Sequence, residues 1–426
     1  MAFQLHLLGL TTIATQVREN DPMTTASAIS RFIGAGRDSH TASLPIGGEI
    51  RVLHVINGEH YAGAERVQDL LAAELPCYRV SVGFACLKKG KFVEARRCGD
   101  APVHSIEMKG RFDLRAVWRL VKLIRQGGYQ VLHSHGPRSA LVAALASKWT
   151  DIPLVHHVHS PTTRDTTNRL RCRLNAMVER LAFRQAKTLV AVSESLGRYL
   201  ANRGVEKEKI QVVPNGVPHC QDGNALDAQN AERNEPASRG SAEWACVLGV
   251  VALFRPRKGL EVLLESLAEL RRRGFVVRLR AVGGFETPEY ESEIKALCSR
   301  LGVESLVEWV GFTRDVESEM RRFDLFVLPS LFGEGMPMVV LEAMALGLPV
   351  VATAVEGVPE VVRDGREGVV VAPGDASALA AGIARILDGS IDAAELGRNA
   401  RRRHNEKFSA KAMAEAVAGV YRRVIA

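Results

Sequence analysis

The sequence predicts an α/β protein of two successive doubly wound halves, each a mostly parallel sheet covered by helices, facing one another across a cleft. Three observations carry that prediction. From residue 50 onward, short apolar runs alternate with amphipathic stretches, and β-α-β alternation demands a mostly parallel sheet with helices on both faces. The rhythm breaks once, after Pro214-Asn215-Gly216, and resumes near residue 244. The chain has 426 residues, long for one core and comfortable for two.

The elements follow in order. RVLHVI, beginning at Arg51, reads as the first strand, and the stretch from Ala64 reads as a helix with Val67, Leu70 and Leu71 on one face. VSVGFA, PVHSI, YQVLHSH, IPLVHHV, KTLVAVS and IQVVP are the further strands of a first half spanning 49–218. Residues 219–243 are polar, carry Gly and Pro, and read as a linker or loop. CVLGVVALF, VVRLRAVGG, LVEWVG, DLFVLPS, LPVVAT and GVVVA then build a second half over 244–405. Residues 406–426 end in a helix whose packing partner the pattern leaves open, the first half included. Ligands of open parallel sheets bind beyond the carboxyl ends of the strands, so the chemistry is expected in the cleft.

With 46% apolar and 24% charged residues the composition is that of an ordinary globular protein. No apolar run reaches the ~18 residues that a spanning helix needs. Residues 1–48 open on a weak apolar run with no basic start and no small-residue cleavage site, then turn Ser/Thr/Gly-rich and aperiodic. They read as a disordered or mis-started leader, with Met23 an equally good start. Seven cysteines are spread without a C-x-x-C pair, which argues against a disulfide framework or a zinc site built on them and fits a reduced cytosol. The net charge of +8 points to an anionic partner. The basic residues lack interleaved aromatics and a recognised binding motif, so nucleic acid is not that partner.

Two constellations suit a phosphorylated, polyhydroxylated ligand. From Gly249 a strand, a short basic turn and a helix follow, the helix fixed by Leu260, Leu263, Leu264, Leu267 and Leu270 at helical spacing. Lys258 and Gly259 stand at its start, where unpaired N–H groups and the helix dipole make an anion site. Arg255, Arg257 and Lys258 add charge there, although a solvated basic turn has the same sequence. From Leu328 a strand end leads through a Gly-flanked loop bearing Glu334 to Pro337, which suits the first turn of a helix. Glu342 falls about one turn inside that helix, on the face of Met338. Carboxylates accept hydrogen bonds from sugar hydroxyls, and the free amides between them take phosphates. On spacing alone, a carboxylate favoured by the helix dipole explains Glu342 nearly as well.

The run EGMPMVVLE, preceded by LPS and followed by AMALGLPVVAT, resembles the E-x7-E signature of the retaining glycosyltransferases of family 4, whose GT-B fold pairs two Rossmann-like domains. RPRKG is similar to that family's donor-phosphate turn, RLRAVGG to its Gly-rich strand end, and EGVPEVVRDGREGVVVAPGD to its segment after the signature. AGAERV, LVHHVHS, AVSES and VVPNGV resemble motifs of its first domain, and the whole set keeps the family's order over 50–424. The resemblance implies a hexosyltransferase-like enzyme that moves a sugar, with retention, from a nucleotide-sugar donor to a hydroxyl acceptor in cell-surface polysaccharide or glycolipid synthesis. It also implies an acceptor-side first domain and a donor-binding second one.

Carried over residue by residue, Lys258 would neutralise the donor diphosphate and Glu342 would bind the ribose hydroxyls. Glu334 and the backbone of Gly335, Met336, Pro337 and Met338 would hold the transferred sugar. Gly63 would let the backbone approach the phosphates, and His159, beside His156 and His157, would contact sugar or phosphate. Glu334, Lys258 and His159 are thus the catalytic candidates. Two departures stand out: Ala62 replaces the glycine that usually precedes Gly63, and Leu253 replaces the arginine that usually lies five residues before the lysine. Arg255 is expected to reach in instead. No metal or other cofactor is expected, since no D-x-D motif or His/Asp cluster stands out.

A sugar phosphorylase, a sugar-nucleotide epimerase and a non-catalytic sugar- or nucleotide-binding protein remain as alternatives at this point. One further segment bears on the acceptor. Arg169, Arg173, Arg180 and Arg184 fall within a narrow helical arc beside an apolar stripe of Leu170, Leu174, Met177 and Leu181. It reads either as a solvated basic edge or as a peripheral contact with an anionic leaflet, bringing a lipid-linked acceptor to a cytoplasmic enzyme on the inner face of the membrane.

Overall fold

The computed structural model describes residues 48–110, 113–160, 180, 182–219 and 246–426. The expected leader, nearly all of the expected linker, and Arg169 and Arg173 with their apolar stripe lie outside the described residues. The first half runs β1 (Ile50–Ile56), α1 (Gly63–Glu74), β2 (Val80–Cys86), α2 (Lys91–Ala95), β3 (Val103–Ser105), α3 (Arg115–Gly127), β4 (Val131–His135), α4 (Pro137–Thr150), β5 (Leu154–Val158), β6 (Thr188–Ala191), α5 (Glu194–Asn202) and β7 (Ile210–Val212). The second runs β8 (Cys246–Val251), α6 (Leu260–Arg272), β9 (Val277–Val282), α7 (Pro288–Leu301), β10 (Val307–Gly311), α8 (Val316–Met320), β11 (Leu325–Leu328), α9 (Met338–Ala345), β12 (Val350–Thr353), α10 (Val358–Val361), β13 (Gly368–Val371), α11 (Ala376–Leu387) and α12 (Ala393–Lys407). Helix α13 (Ala410–Ile425) closes the chain.

The strands form a 7-stranded sheet in the order β3-β2-β1-β4-β5-β6-β7 and a 6-stranded sheet in the order β10-β9-β8-β11-β12-β13. Every neighbouring pair is parallel. The strands are near-continuous apolar runs because helices cover both faces; Val52, Leu53 and Val55 are all fully buried. The helical periodicities hold as well: Val67 and Leu71 on α1, and Leu260, Leu263, Leu264, Leu267 and Leu270 on α6, face the core. Strand order reverses between β1 and β4 and again between β8 and β11, so each half has a switch point at which ligands are expected.

The last helix is settled by the tertiary structure. It packs on the first half, against α1 and β4, and its Tyr421 hydroxyl lies 3.1 Å from His54 Nε2 and 2.6 Å from His133 Nδ1. Just before it, Val217 of the first half exchanges backbone hydrogen bonds with Phe408 and Ala410, at 3.0 and 2.9 Å. A buried apolar cluster includes residues of both sheets, and Glu49–Ala426 forms one compact unit. Among the described residues no helix is long and apolar enough to cross a membrane.

Candidate active site

The second switch point carries the basic turn. After β8 the chain makes one tight turn, Pro256–Lys258, closed by Gly259 at φ +67. A Cβ on Gly259 would lie 2.0 Å from the carbonyl oxygen of Pro329, so glycine alone lets the turn lie against the end of β11. Lys258 Nζ there pairs with Glu334 Oε1, an oxygen that also accepts the Ser330 hydroxyl at 2.8 Å. Glu334 is 6% exposed. Burial pushes the Lys258 amine below its ordinary value; Glu334 pulls the other way, and Arg257 and Arg255 add to the lowering.

The two arginines of the turn part company. Arg255 Nη1 pairs with Glu286 Oε1 at 3.2 Å, whereas Arg257 Nη1 lies 3.8 Å from Glu334 Oε1 and donates to the carbonyls of Phe332 and Gly333 at 3.3 and 3.2 Å. The guanidinium that reaches the Glu334 loop is therefore that of Arg257, and the expected substitute for the arginine missing at Leu253 is engaged with Glu286. Arg255 stays close enough to Lys258 to act on its charge.

The loop that follows is held from both sides. Glu356, a non-glycine residue with φ +30, accepts the amides of Gly333 and Glu334 at 2.9 and 3.1 Å. Asn215 of the first half donates its side-chain amide to the Met336 carbonyl at 3.2 Å, in a buried setting. Gly335 stands directly against the first half: a Cβ there would lie 2.1 Å from the carbonyl oxygen of His159. Pro337 caps α9 without any side-chain hydrogen bond; its carbonyl accepts the amide of Val340 at 3.1 Å, and no cap side chain takes the amides that open the helix. A Cβ on Gly63, at the start of α1, would meet Met338 at 3.8 Å. The starts of the two helices thus meet across the halves, a convergence of N–H groups and dipoles that favours an anion.

One turn into each helix the halves are joined by charge. Arg66 on α1 forms an ion pair with Glu342 Oε1 on α9, the side chains being 29% and 14% exposed. Both Glu342 oxygens are inaccessible to solvent, so the Arg66 guanidinium is the charge that balances this carboxylate.

The first switch point carries imidazoles. His54 on β1 sits opposite His133 on β4, and His135 sits opposite His157 on β5. Because strand side chains alternate faces, His133 and His135 share one face, as do His157 and His159, and the rings form a staircase toward the carboxyl ends. His135 Nδ1 and His159 Nε2 are 3.1 Å apart, and His157 stacks on His159 with centroids 4.3 Å apart. His156 points to the opposite face, to the Ser134 hydroxyl at 2.9 Å. Burial holds His54 and His159 neutral with pKa values lowered to about 3 and His156 lowered to about 4; it also holds His133, His135 and His157 well below the ordinary value, with neighbouring imidazoles adding to the effect. Of the histidines of β5 and its end, only His159 is partly open, and its backbone touches Gly335.

The structure therefore gathers Lys258, Glu334, Gly335, Met336, Pro337, Met338, Glu342, Gly63 and His159 into one contiguous region, with Arg255 at its margin. Arg66, Ser330, Glu356 and Asn215 join it without having been singled out for it, and Arg257, expected only as added charge in the turn, reaches the Glu334 loop. Asn215 lies in VVPNGV and Arg66 in AGAERV, one turn beyond Gly63, so motif position was the available signal for both. The imidazole staircase is a cluster that the linear sequence shows only as HSH and HHVH.

Comparison with known proteins gives a consistent set. Residues 245–389 match the family described as glycosyl transferases group 1, and residues 62–216 match the glycosyl transferase 4-like domain. The D-inositol 3-phosphate glycosyltransferase 2 of Catenulispora acidiphila is 31% identical over 324 residues, covering 72% of this chain and 74% of that protein. The capsular polysaccharide biosynthesis glycosyltransferase CapM of Staphylococcus aureus is 25% identical over 333 residues, 77% of this chain and 87% of CapM. The crystal structure of Anabaena Alr3699/HepE in complex with UDP matches with a TM-score of 0.73 at 23% identity, covering 88% of this chain and 100% of that one. This last likeness is one of fold, and it agrees with the GT-B architecture expected from the sequence.

Proposed function

The chain belongs to the group 1 glycosyltransferases with a glycosyl transferase 4-like first half, and from that premise we propose that it is a retaining family 4 enzyme using a nucleoside-diphosphate sugar. The observation that carries this is Glu342: a carboxylate shielded from water and paired with Arg66 of the opposite half, beside two meeting helix starts. A carboxylate accepts hydrogen bonds from the two hydroxyls of a ribose, which take the place of the Arg66 guanidinium. The adjoining amides and Lys258 then take the diphosphate. As the glycosidic bond breaks, negative charge grows on the leaving diphosphate, where Lys258 and these amides stabilise it more than they do the ground state. The acceptor hydroxyl attacks from the face the diphosphate leaves, and a phosphate oxygen takes its proton. Glu334, held by Lys258 and Ser330, and His159 at the lip of the first half meet the transferred hexose.

The acceptor we propose is a saccharide polymer or lipid-linked sugar at the cytoplasmic face of a membrane, in keeping with the capsular polysaccharide biosynthesis for which CapM is named. Arg180 and Arg184, both exposed, support an electrostatic contact with anionic lipid, Arg169 and Arg173 being placed in the same arc by the sequence alone. Turnover needs no metal. The test is a screen of radiolabelled UDP-, GDP- and ADP-sugars for slow hydrolysis with excess chelator present, followed by NMR of the anomer released. One donor hydrolysed with retention supports the proposal; inversion, a strict metal requirement, or no turnover of any donor overturns it.

A further inference from the structure

We propose that His135, His157 and His159 form a binding site for a divalent ion of the late first transition row, Zn2+ foremost, and that its occupancy inhibits the enzyme. The three residues come from adjacent strand ends on one face of the sheet, and one ligand nitrogen of each lies within 4.8 Å of the others. His135 Nδ1 and His159 Nε2 already face each other at 3.1 Å, close to the ~3.4 Å between two nitrogens bonded to one tetrahedral zinc. An ion would take the place of the proton they share. A second observation points the same way: both ring nitrogens of His157, a fully buried member of the trio, have no hydrogen-bond partner among the described residues. Orphaned buried nitrogens of this kind call for a ligand, water or an ion.

The chemistry of the set selects the ion. Three neutral imidazoles and no carboxylate suit Zn2+, Ni2+ or Cu2+ and not Mg2+ or Ca2+. Three protein ligands also leave a fourth position for water, the pattern of an open site. The inner trio His54, His133 and His135 has similar spacing, but it is fully buried, and the Tyr421 hydroxyl already engages His54 Nε2 and His133 Nδ1. The outer trio has an access path, since His159 is partly open, and the same freedom lets its ring turn to bring the nitrogens inward. Inhibition rests on the proposed role of His159 toward the transferred sugar: a ring held by the ion cannot meet the hexose. Binding does not rest on that role.

The experiment uses the full chain, stripped with chelator and free of nucleotide. Zn2+ titration by calorimetry, together with the ligand-field absorption of Co2+ as a probe, is expected to show one tetrahedral site that Mg2+ does not compete for. His159→Ala, at the partly open lip where it disturbs the core least, is expected to lower Zn2+ affinity by about 100-fold, since loss of even an outer partner costs roughly 10–100-fold. His157→Gln should do the same, while His156→Gln, on the opposite face, should keep wild-type binding. Circular dichroism and the melting temperature identify any variant that fails to fold, and His159→Ala then carries the test. No Zn2+ binding, or binding that survives in a folded His159→Ala variant, overturns the site. Binding as expected with donor hydrolysis undiminished by Zn2+ overturns the inhibitory role alone.

Discussion

Arg66 on α1 and Glu342 on α9 form an ion pair that joins the two halves of the molecule. The carboxylate proposed to hold the ribose is thus engaged by a guanidinium of the opposite half, and a donor must displace it. Arg66→Ala is expected to tighten nucleotide binding by about 0.5–1 kcal/mol, the scale of a partly exposed pair. Glu342→Gln is expected to weaken it by about 1–3 kcal/mol. Titration calorimetry with the nucleoside diphosphate reads both. Weaker binding by Arg66→Ala would show that Arg66 contacts the donor itself.

The basic turn should divide by function. Lys258→Ala is expected to lower kcat by about 100-fold or more, the scale for removing one group that stabilises developing charge. Arg257→Ala, which frees the carbonyls of Phe332 and Gly333, should cost about 10-fold in kcat/KM through a misplaced loop. Arg255→Ala should cost less than Arg257→Ala, because its guanidinium is engaged with Glu286. Steady-state kinetics of the three variants ranks them, and a larger loss for Arg255 than for Arg257 would restore Arg255 as the phosphate-binding arginine.

Glu356 stands in the left-handed region at φ +30 while tying down the amides of Gly333 and Glu334. Glu356→Gly removes those bonds and relieves the backbone, two effects of opposite sign on stability. The melting temperature should therefore move little while kcat/KM falls about 10-fold. A fall in stability with unchanged kinetics would make Glu356 a purely structural residue.

The buried histidines set an acid limit. His54, His133, His135, His156, His157 and His159 all have pKa values lowered from 6.5, by burial first. Above that value the folded and unfolded chains are both neutral at these rings, and no stability is lost. Below it the unfolded chain takes up protons that the fold refuses, so stability falls as pH falls, for His54 and His159 until about 3 and for His156 until about 4. Each ring contributes up to about 1.4 kcal/mol per pH unit. Thermal melts from about pH 7.5 to about pH 5 should show a steep decline, and a flat profile would mean the rings are hydrated in solution.

What the sequence determined by itself is the part governed by neighbours along the chain. Strand runs, helix faces such as that of α6, and the order of the motifs depend on short-range periodicity and turn chemistry, and the two sheets contain the strands read from it. The E-x7-E run placed Glu334 on a loop and Glu342 on a helix because eight residues of local geometry suffice. Tertiary structure decided everything that depends on which distant groups meet. The sequence pointed to Arg255 rather than Arg257, but Arg255 ends an extended segment while Arg257 lies in a tight turn, and a 3₁₀ turn rotates successive side chains by about 120°; their guanidiniums therefore leave in different directions. The packing partner of the last helix, left open by the sequence, is fixed by the fold, where Tyr421 lies between His54 and His133. The ion pair of Arg66 with Glu342 and the imidazole staircase likewise arise from crossovers that bring separate strands and helices to one edge. No local pattern encodes such a meeting, because parallel pairing and packing between halves are set by the burial of whole faces rather than by adjacent residues.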